Sequence, residues 1–79
     1  MRDFRVTEVE ATLTAKGWPL PYSLQWDGET LPVAERGRRW HTEDGLHMLV
    51  LVDDGRVFEL HTNGAVWRAA LISTPYRFV

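Results

Sequence analysis

The side chains best suited to binding or catalysis cluster in one stretch, residues 35–47, which has the sequence ERGRRWHTEDGLH. Arginines spaced around a tryptophan are typical of a surface that binds phosphate or acidic groups, because guanidinium groups make bidentate contacts and an indole ring offers a stacking plane. With two arginines from the C-terminal half, the candidate residues for nucleic-acid or acidic-partner binding are Arg36, Arg38, Arg39, Trp40, Arg56 and Arg68. The alternative is a solvated strand edge, with Trp40 pointing inward and nearby carboxylates cancelling part of the charge.

Metal binding would depend on the three histidines, His41, His47 and His61, because the chain contains no cysteine. A zinc site needs three or four converging ligands. On the register that the hairpin turns favour, His61 lies opposite Met48, and His47 points to the other face of the sheet. The sequence therefore predicts neither a metal site nor a cofactor.

Catalytic motifs are absent from the sequence. Ser23 and Ser73 lie outside any GxSxG nucleophile motif, and the separated glycines form no GxxxxGK[ST] phosphate loop. The acidic pairs at residues 43–44 and 53–54 each precede a glycine, where Asp side chains favour turns by bonding the local backbone. We therefore expect no catalytic residues and a protein that is not an enzyme.

The composition is that of one small globular domain, covering residues 1–79. With 44% hydrophobic and 25% charged residues, the chain is too apolar for a disordered segment. Its net charge of −2 argues against binding nucleic acid by bulk positive charge, so any basic surface must be local. No apolar run approaches a membrane helix, and the charged start differs from a signal peptide, which favours a cytoplasmic protein without membrane contact.

Alternation of apolar and polar residues predicts β-structure almost throughout. The first strand is expected over residues 4–15, with a bulge near residues 7–8 where the alternation changes phase. The Asp27-Gly28 pair predicts a turn, and Pro32 indicates that the following strand lies at a sheet edge. Five to six short strands favour an all-β fold, a small single-domain antiparallel barrel or strongly bent meander of the SH3-like or OB-like kind.

The C-terminal half predicts a three-stranded meander, because one Asp-Gly and one Asn-Gly dipeptide separate its apolar runs. Both dipeptides favour two-residue type I′ turns. Such loops place Leu51 opposite Phe58, and Glu59 opposite Arg68 as a cross-strand ion pair. The core face is then expected to carry Leu49, Leu51, Phe58, Leu60, Trp67, Ala69 and Leu71.

The other face of this meander is apolar at one end, and something must cover it. The first strand or the tail at residues 73–79 can do so; a partner or a second copy of the chain is the alternative. The candidate interface residues are Val50, Val52, Val57 and Ile72.

Several residues between positions 21 and 71 carry a family resemblance. They are Trp26, Gly28, Val33, Trp40, the DGRVFEL segment at residues 54–60, and Trp67. In this pattern the chain resembles a small uncharacterised bacterial all-β domain. That domain occurs alone and also fused C-terminally to ImuB-like relatives of the Y-family DNA polymerases. The resemblance implies an interaction module accessory to DNA repair, and it supplies no catalytic residue.

These patterns together favour a non-enzymatic interaction module with a protein partner or self-association. One alternative is a small barrel that binds nucleic acid through residues 36–40. Another alternative is a homo-oligomeric structural protein.

Overall fold

The computed structural model describes residues 2–75, which form one antiparallel sheet of seven strands. The strands are β1 (Arg5–Thr7), β2 (Val9–Leu13), β3 (Pro19–Trp26), β4 (Glu29–Thr42), β5 (Gly45–Val52), β6 (Val57–Thr62) and β7 (Trp67–Ser73). Their order is β1-β7-β6-β5-β4-β3-β2, and the sheet curls into an open half-barrel. The all-β prediction is confirmed, but five to six strands is too few. No helix within the described residues has the length and apolarity to cross a membrane.

The first predicted strand is bent at Glu8 into two strands that pair with different neighbours. Before the bend β1 pairs with β7, and after it β2 pairs with β3. The Glu8 carbonyl accepts a hydrogen bond from the Gln25 amide at 2.9 Å. The predicted change near residues 7–8 is a break between two strands rather than a bulge within one, and the register shift of β2 lies between Glu10 and Ala11. The two edge strands of the sheet therefore follow each other directly in the sequence.

Strand β4 is long and bent, and it is not the edge strand that Pro32 predicted. Its first residues pair with β3, and the residues from Val33 onward pair with β5. Register shifts between Val33 and Glu35 and between Arg36 and Arg39 mark bulges. Pro32 is tolerated because it lies where the pairing passes from one neighbour to the other.

The β5–β6 loop has three residues rather than two. The amide of Val52 bonds the Arg56 carbonyl at 3.0 Å, and Gly55 adopts a positive φ of 92°. This is the pattern of a type I turn followed by a left-handed glycine. Val50, not Leu51, therefore lies opposite Phe58. Because side chains alternate between faces, this one-residue shift exchanges the two faces of β5 relative to the prediction: the side chains expected in the core lie on the other face.

The β6–β7 loop also differs from the prediction, but without exchanging the faces. Thr62 pairs with Trp67, so the loop has four residues, and the register moves by two positions. Glu59 consequently lies opposite Ala70, and the predicted pair of Glu59 with Arg68 is wrong. His61 lies opposite Arg68 instead.

The inner face of the curled sheet holds the hydrophobic core. The Trp26 ring packs edge-on against Phe58, with 4.9 Å between ring centroids. The buried core residues are Leu24, Trp26, Leu31, Leu46, Met48, Val50, Val52, Phe58, Leu60 and Ala69. The predicted core face is thus correct for β6 and wrong for β5.

The interface predicted at Val50, Val52, Val57 and Ile72 does not exist as an exposed strip. Val50 and Val52 are 0% and 1% exposed in the core, because β5 is turned over. Val57 and Ile72 are half-buried, as are the predicted core residues Leu49 and Leu51. Leu71, also predicted in the core, is 39% exposed.

Parts of both chain ends lie near the outer face, the side of β4–β7 opposite the core. The Arg2 guanidinium reaches the Glu59 carboxylate on this face, and the Phe4 ring lies 6.2 Å from His61. Pro75 lies beside the β5–β6 loop, since a Cβ on Gly55 would be 3.0 Å from its Cγ. The part of the predicted tail contact that involves residues 76–79 lies outside the described residues.

Candidate functional site

Four side chains form a row across the outer face, which we call the outer row: Trp40, His47, His61 and Arg68. Each lies directly opposite the next on adjacent strands, from β4 to β7. The Trp40 and His47 rings are stacked, with centroids 5.4 Å apart and planes 8° apart, and the His47 and His61 rings are 4.6 Å apart. Three strand spacings make the row about 14 Å long.

The buried carboxylate of Glu59 contacts the outer row through His47. Its side chain is 5% exposed, and it pairs with Arg2 and with His47, whose Nδ1 lies 2.8 Å from Oε2. Burying an unpaired carboxylate would be costly, so these two partners are what permit Glu59 in a central strand. The N-terminal segment is therefore tied to the centre of the sheet.

The hydrogen bonds indicate which ring nitrogen of His47 and of His61 carries a hydrogen. His61 Nε2 lies 2.9 Å from the Asp44 carbonyl oxygen, which can only accept, so Nε2 carries the hydrogen. His47 Nδ1–H donates to Glu59, and its Nε2 lies 2.9 Å from the Thr42 hydroxyl. Burial of the ring, followed by the charge of His61, lowers the pKa of His47. At neutral pH the Thr42 hydroxyl therefore donates to an uncharged His47.

The Glu59–His47–Thr42 chain has the connectivity of a catalytic triad, and the same contacts link the β4–β5 turn to β5 and β6. The Thr42 hydroxyl also accepts the Asp44 amide at 3.2 Å, a local bond that fixes the two-residue β4–β5 turn. What the network does is hold the turn, β5 and β6 in one register.

A concavity of about 370 Å³ opens beside the outer row. Its lining includes Asp44, an exposed residue of the β4–β5 turn, and Arg68, a half-buried residue of β7. Within residues 2–75 the ion pairs are made by other groups, so these two opposite charges face one cavity without neutralising each other. The lining residues are Phe4, Asp44, His47, His61, Asn63 and Arg68.

The predicted arginine patch is divided between different parts of the molecule. On the outer face, the Arg38 guanidinium carbon lies 5.3 Å from the centroid of the Trp40 ring. Arg39 points to the other side of β4 and lies 4.5 Å from the Trp18 ring, because neighbouring strand residues alternate. The Nε of Arg36 donates to the Pro21 carbonyl at 2.8 Å.

The two more distant arginines also lie apart from each other. Arg56 is in the β5–β6 loop, where it forms an ion pair of 2.7 Å with Asp54 and lies 5.7 Å from the Phe58 ring. Arg68 ends the outer row. Of the predicted set, only Arg38, Trp40 and Arg68 therefore share the outer face.

Two further expectations are corrected by the register of β4–β6. Trp40 was expected to point inward if it lay on a strand, but it is half-buried on the outer face. His61 was expected opposite Met48 and away from His47; it lies directly opposite His47. Even so, the described residues contain no group of three or more His, Cys, Asp or Glu side chains positioned to hold a metal ion.

The sequence reasoning missed Glu59, Asp44 and His61 as members of one site. The signal that could have found them is the third residue of Asp53-Asp54-Gly55, since a glycine there suits a three-residue hairpin loop as well as a two-residue one. The three-residue loop alone pairs His47 with His61.

Comparison of the chain with protein-family models, with characterised proteins and with solved structures finds no match.

Proposed function

We propose that this chain is a non-enzymatic interaction module that binds single-stranded nucleic acid across its outer face. The observation that carries the proposal is the stack of Arg38, Trp40 and His47, which continues through His61 to the unpaired Arg68. Planar groups beside free guanidinium donors are what small barrels use to hold unstacked bases and phosphates.

The distribution of charge supports a local binding surface on a chain of net charge −2. Arg2, Arg5 and Arg56 are each paired with a carboxylate. The remaining arginines of the described part of the chain have no carboxylate partner, and they are Arg36, Arg38, Arg39 and Arg68. Three of these four belong to β4. Arg38 and Arg68 lie on the outer face, so a polyanion bound there would meet two guanidinium groups that no internal carboxylate neutralises.

A single strand fits these features better than a duplex does. Stacking on tryptophan or on a guanidinium plane requires bases that are already unstacked. A duplex is bound mainly through many phosphate contacts, for which an acidic chain offers few cations. The proposed contact is small, so we expect weak affinity that falls as salt rises, by about 0.7 logarithmic units per phosphate contact for each tenfold rise in salt.

We also propose that the chain acts as an accessory module in DNA repair, a role that is consistent with binding single-stranded nucleic acid. It derives from the resemblance to the domain fused to ImuB-like proteins. An SH3-like or OB-like assignment of the half-barrel and a cytoplasmic location are likewise proposed, on the strand pattern and the composition.

The test is a titration of fluorescently labelled oligo-dT and of a matched duplex at low salt, followed by anisotropy. We expect the single strand to bind more tightly, and the double variant Arg38→Ala with Trp40→Ala to lose most of that affinity. The matched control is Arg56→Ala, because Arg56 lies in a distant loop and is already paired with Asp54. Absence of binding at low salt, or equal losses in both variants, would contradict the proposal.

A second candidate function is self-association through the edge strands. Val6 in β1 and Leu13 in β2 are 68% and 70% exposed, which is unusual for large apolar residues on edge strands. Sedimentation velocity at increasing protein concentration tests this. A dimer that is lost in Val6→Lys with Leu13→Lys supports it, and a monomer at every concentration rules it out.

A further inference from the structure

We propose that the concavity between Asp44 and Arg68 is a recognition site for a guanine base of the bound strand. This inference rests on the proposed binding of single-stranded nucleic acid, and it adds a base preference to it. It starts from the two opposite charges that line one cavity of about 370 Å³ without pairing with each other.

Guanine matches this pair of charges better than the other bases do. Its Watson–Crick edge presents two adjacent donors, N1–H and the 2-amino group, which a carboxylate such as that of Asp44 can accept together. Its O6 and N7 are acceptors, and arginine contacts both in a bidentate manner. Adenine and cytosine present a ring-nitrogen acceptor where guanine has N1–H, and this acceptor would repel the carboxylate.

The backbone that carries the Asp44 carboxylate is held in place before any ligand arrives. The backbone of Asp44 is fixed at both ends, since its amide donates to Thr42 at 3.2 Å and its carbonyl accepts from His61 at 2.9 Å. Fixing the backbone in advance reduces the ordering cost of binding. The exposed side chain has no role in the core, so it can be exchanged without loss of the fold.

The remaining lining suits a planar polar ligand. The Phe4 ring and the His61 ring provide apolar faces, and Asn63 uses only its oxygen internally, to accept the amides of Ala65 and Val66 at 2.9 and 3.0 Å. Its amide hydrogens are free to donate. The volume falls within the range of about 300–1,000 Å³ that is typical of ligand pockets.

The test compares oligo-dT strands that carry one central dG, dA, inosine or 7-deazaguanine, bound to the full chain under identical salt conditions. We expect dG to bind about 5- to 100-fold more tightly than dA, the range expected for a good bidentate contact. Inosine lacks the 2-amino group and 7-deazaguanine lacks N7, so both should bind with intermediate affinity.

Substitutions at Asp44 and at Arg68 test whether these two residues cause the preference for guanine. Asp44→Asn should abolish the preference for dG over dA, measured as the ratio of the two affinities within that variant, and Arg68→Gln should abolish the preference for guanine over 7-deazaguanine. The matched control is Glu43→Gln, which removes the neighbouring exposed carboxylate of the same turn and should keep the preference.

The outcomes separate this inference from the proposed function. Equal affinity for all strands, or a preference that survives in Asp44→Asn, overturns the guanine site but leaves single-strand binding intact. Absence of binding to any oligonucleotide overturns both.

Discussion

The imidazole rings of His47 and His61 lie directly opposite each other on β5 and β6, with 4.6 Å between their centroids. Each ring has one nitrogen fixed as a donor, to Glu59 in one case and to the Asp44 carbonyl in the other. Two imidazolium charges at this separation would repel each other. The arrangement therefore favours a neutral His47, and acid should weaken it.

The first prediction concerns stability in acid. Burial and the neighbouring His61 lower the pKa of His47 below its usual value of about 6.5. As the pH falls through that value, the unfolded chain binds a proton at His47 before the folded chain does, so the free energy of unfolding decreases. Above this range His47 is neutral in both states and contributes no pH dependence.

Urea denaturation at several pH values between about 7.5 and 5.5 measures this effect, since that range spans the ordinary histidine pKa. His47→Gln should show a smaller loss of stability on acidification than the original chain. His41→Gln removes an exposed imidazole and should keep most of the loss. An unchanged pH dependence in His47→Gln would show that another group is responsible.

The second prediction concerns the buried carboxylate. Glu59→Ala leaves the Nδ1–H of His47 without an acceptor beneath the outer row, and we expect a loss of about 1–3 kcal/mol in the free energy of unfolding. Arg2→Ala should also lower the free energy of unfolding, because it removes one of the two partners of the buried carboxylate; water reduces this loss, since the Arg2 side chain is 47% exposed. Chemical denaturation at neutral pH gives both values. A larger loss in Arg2→Ala than in Glu59→Ala would mean that the N-terminal segment, rather than the histidine, depends on the carboxylate.

The third prediction tests the close approach of the β4–β5 turn to the next hairpin. Gly45 has a φ of 130°, and a Cβ there would collide with the Thr62 carbonyl and lie 3.1 Å from the Asn63 Cα. Gly45→Ala should therefore cost about 1–3 kcal/mol or more, from backbone strain and overpacking together. Gly37→Ala is the control, since its Cβ would meet Leu49 only at ordinary distances of 3.6 and 3.8 Å. Thermal unfolding that ranks Gly37→Ala as the more damaging change would contradict this account.

Where one local pattern settles the geometry, the sequence predicts this fold correctly. The bend at Glu8 follows from a change of phase, and the turn predicted at Asp27-Gly28 is present, with two residues and φ of 48° and 80°. The failure at Gly55 has a different cause. The Asp-Asp-Gly segment suits loops of two or three residues, and the choice depends on which face of β5 packs against the core, which is a tertiary property.

The candidate site shares this dependence on tertiary structure. Its arginines and tryptophan stand out in the sequence, but the pairing of His47 with His61 joins residues 14 positions apart and depends on the length of the β5–β6 loop. The position of Arg38 and Arg39 on opposite sides of β4 follows from simple alternation. The candidate binding residues could thus be located from the sequence. Which of them share one surface depends on the pairing register of the strands.

The last prediction tests that register directly, through two neighbours on opposite faces of β5. Met48 is 3% exposed in the core, whereas Leu49 is half-buried on the outer face. Met48→Ala should therefore cost about 2–5 kcal/mol, as is usual for a large buried side chain. Leu49→Ala should cost clearly less, because part of its surface already meets water. The two-residue loop would reverse this order, since it places Leu49 in the core. Denaturation of the two variants in urea therefore decides between the registers: a larger loss for Leu49→Ala would require β5 to be turned over again, and His47 would no longer share a face with His61.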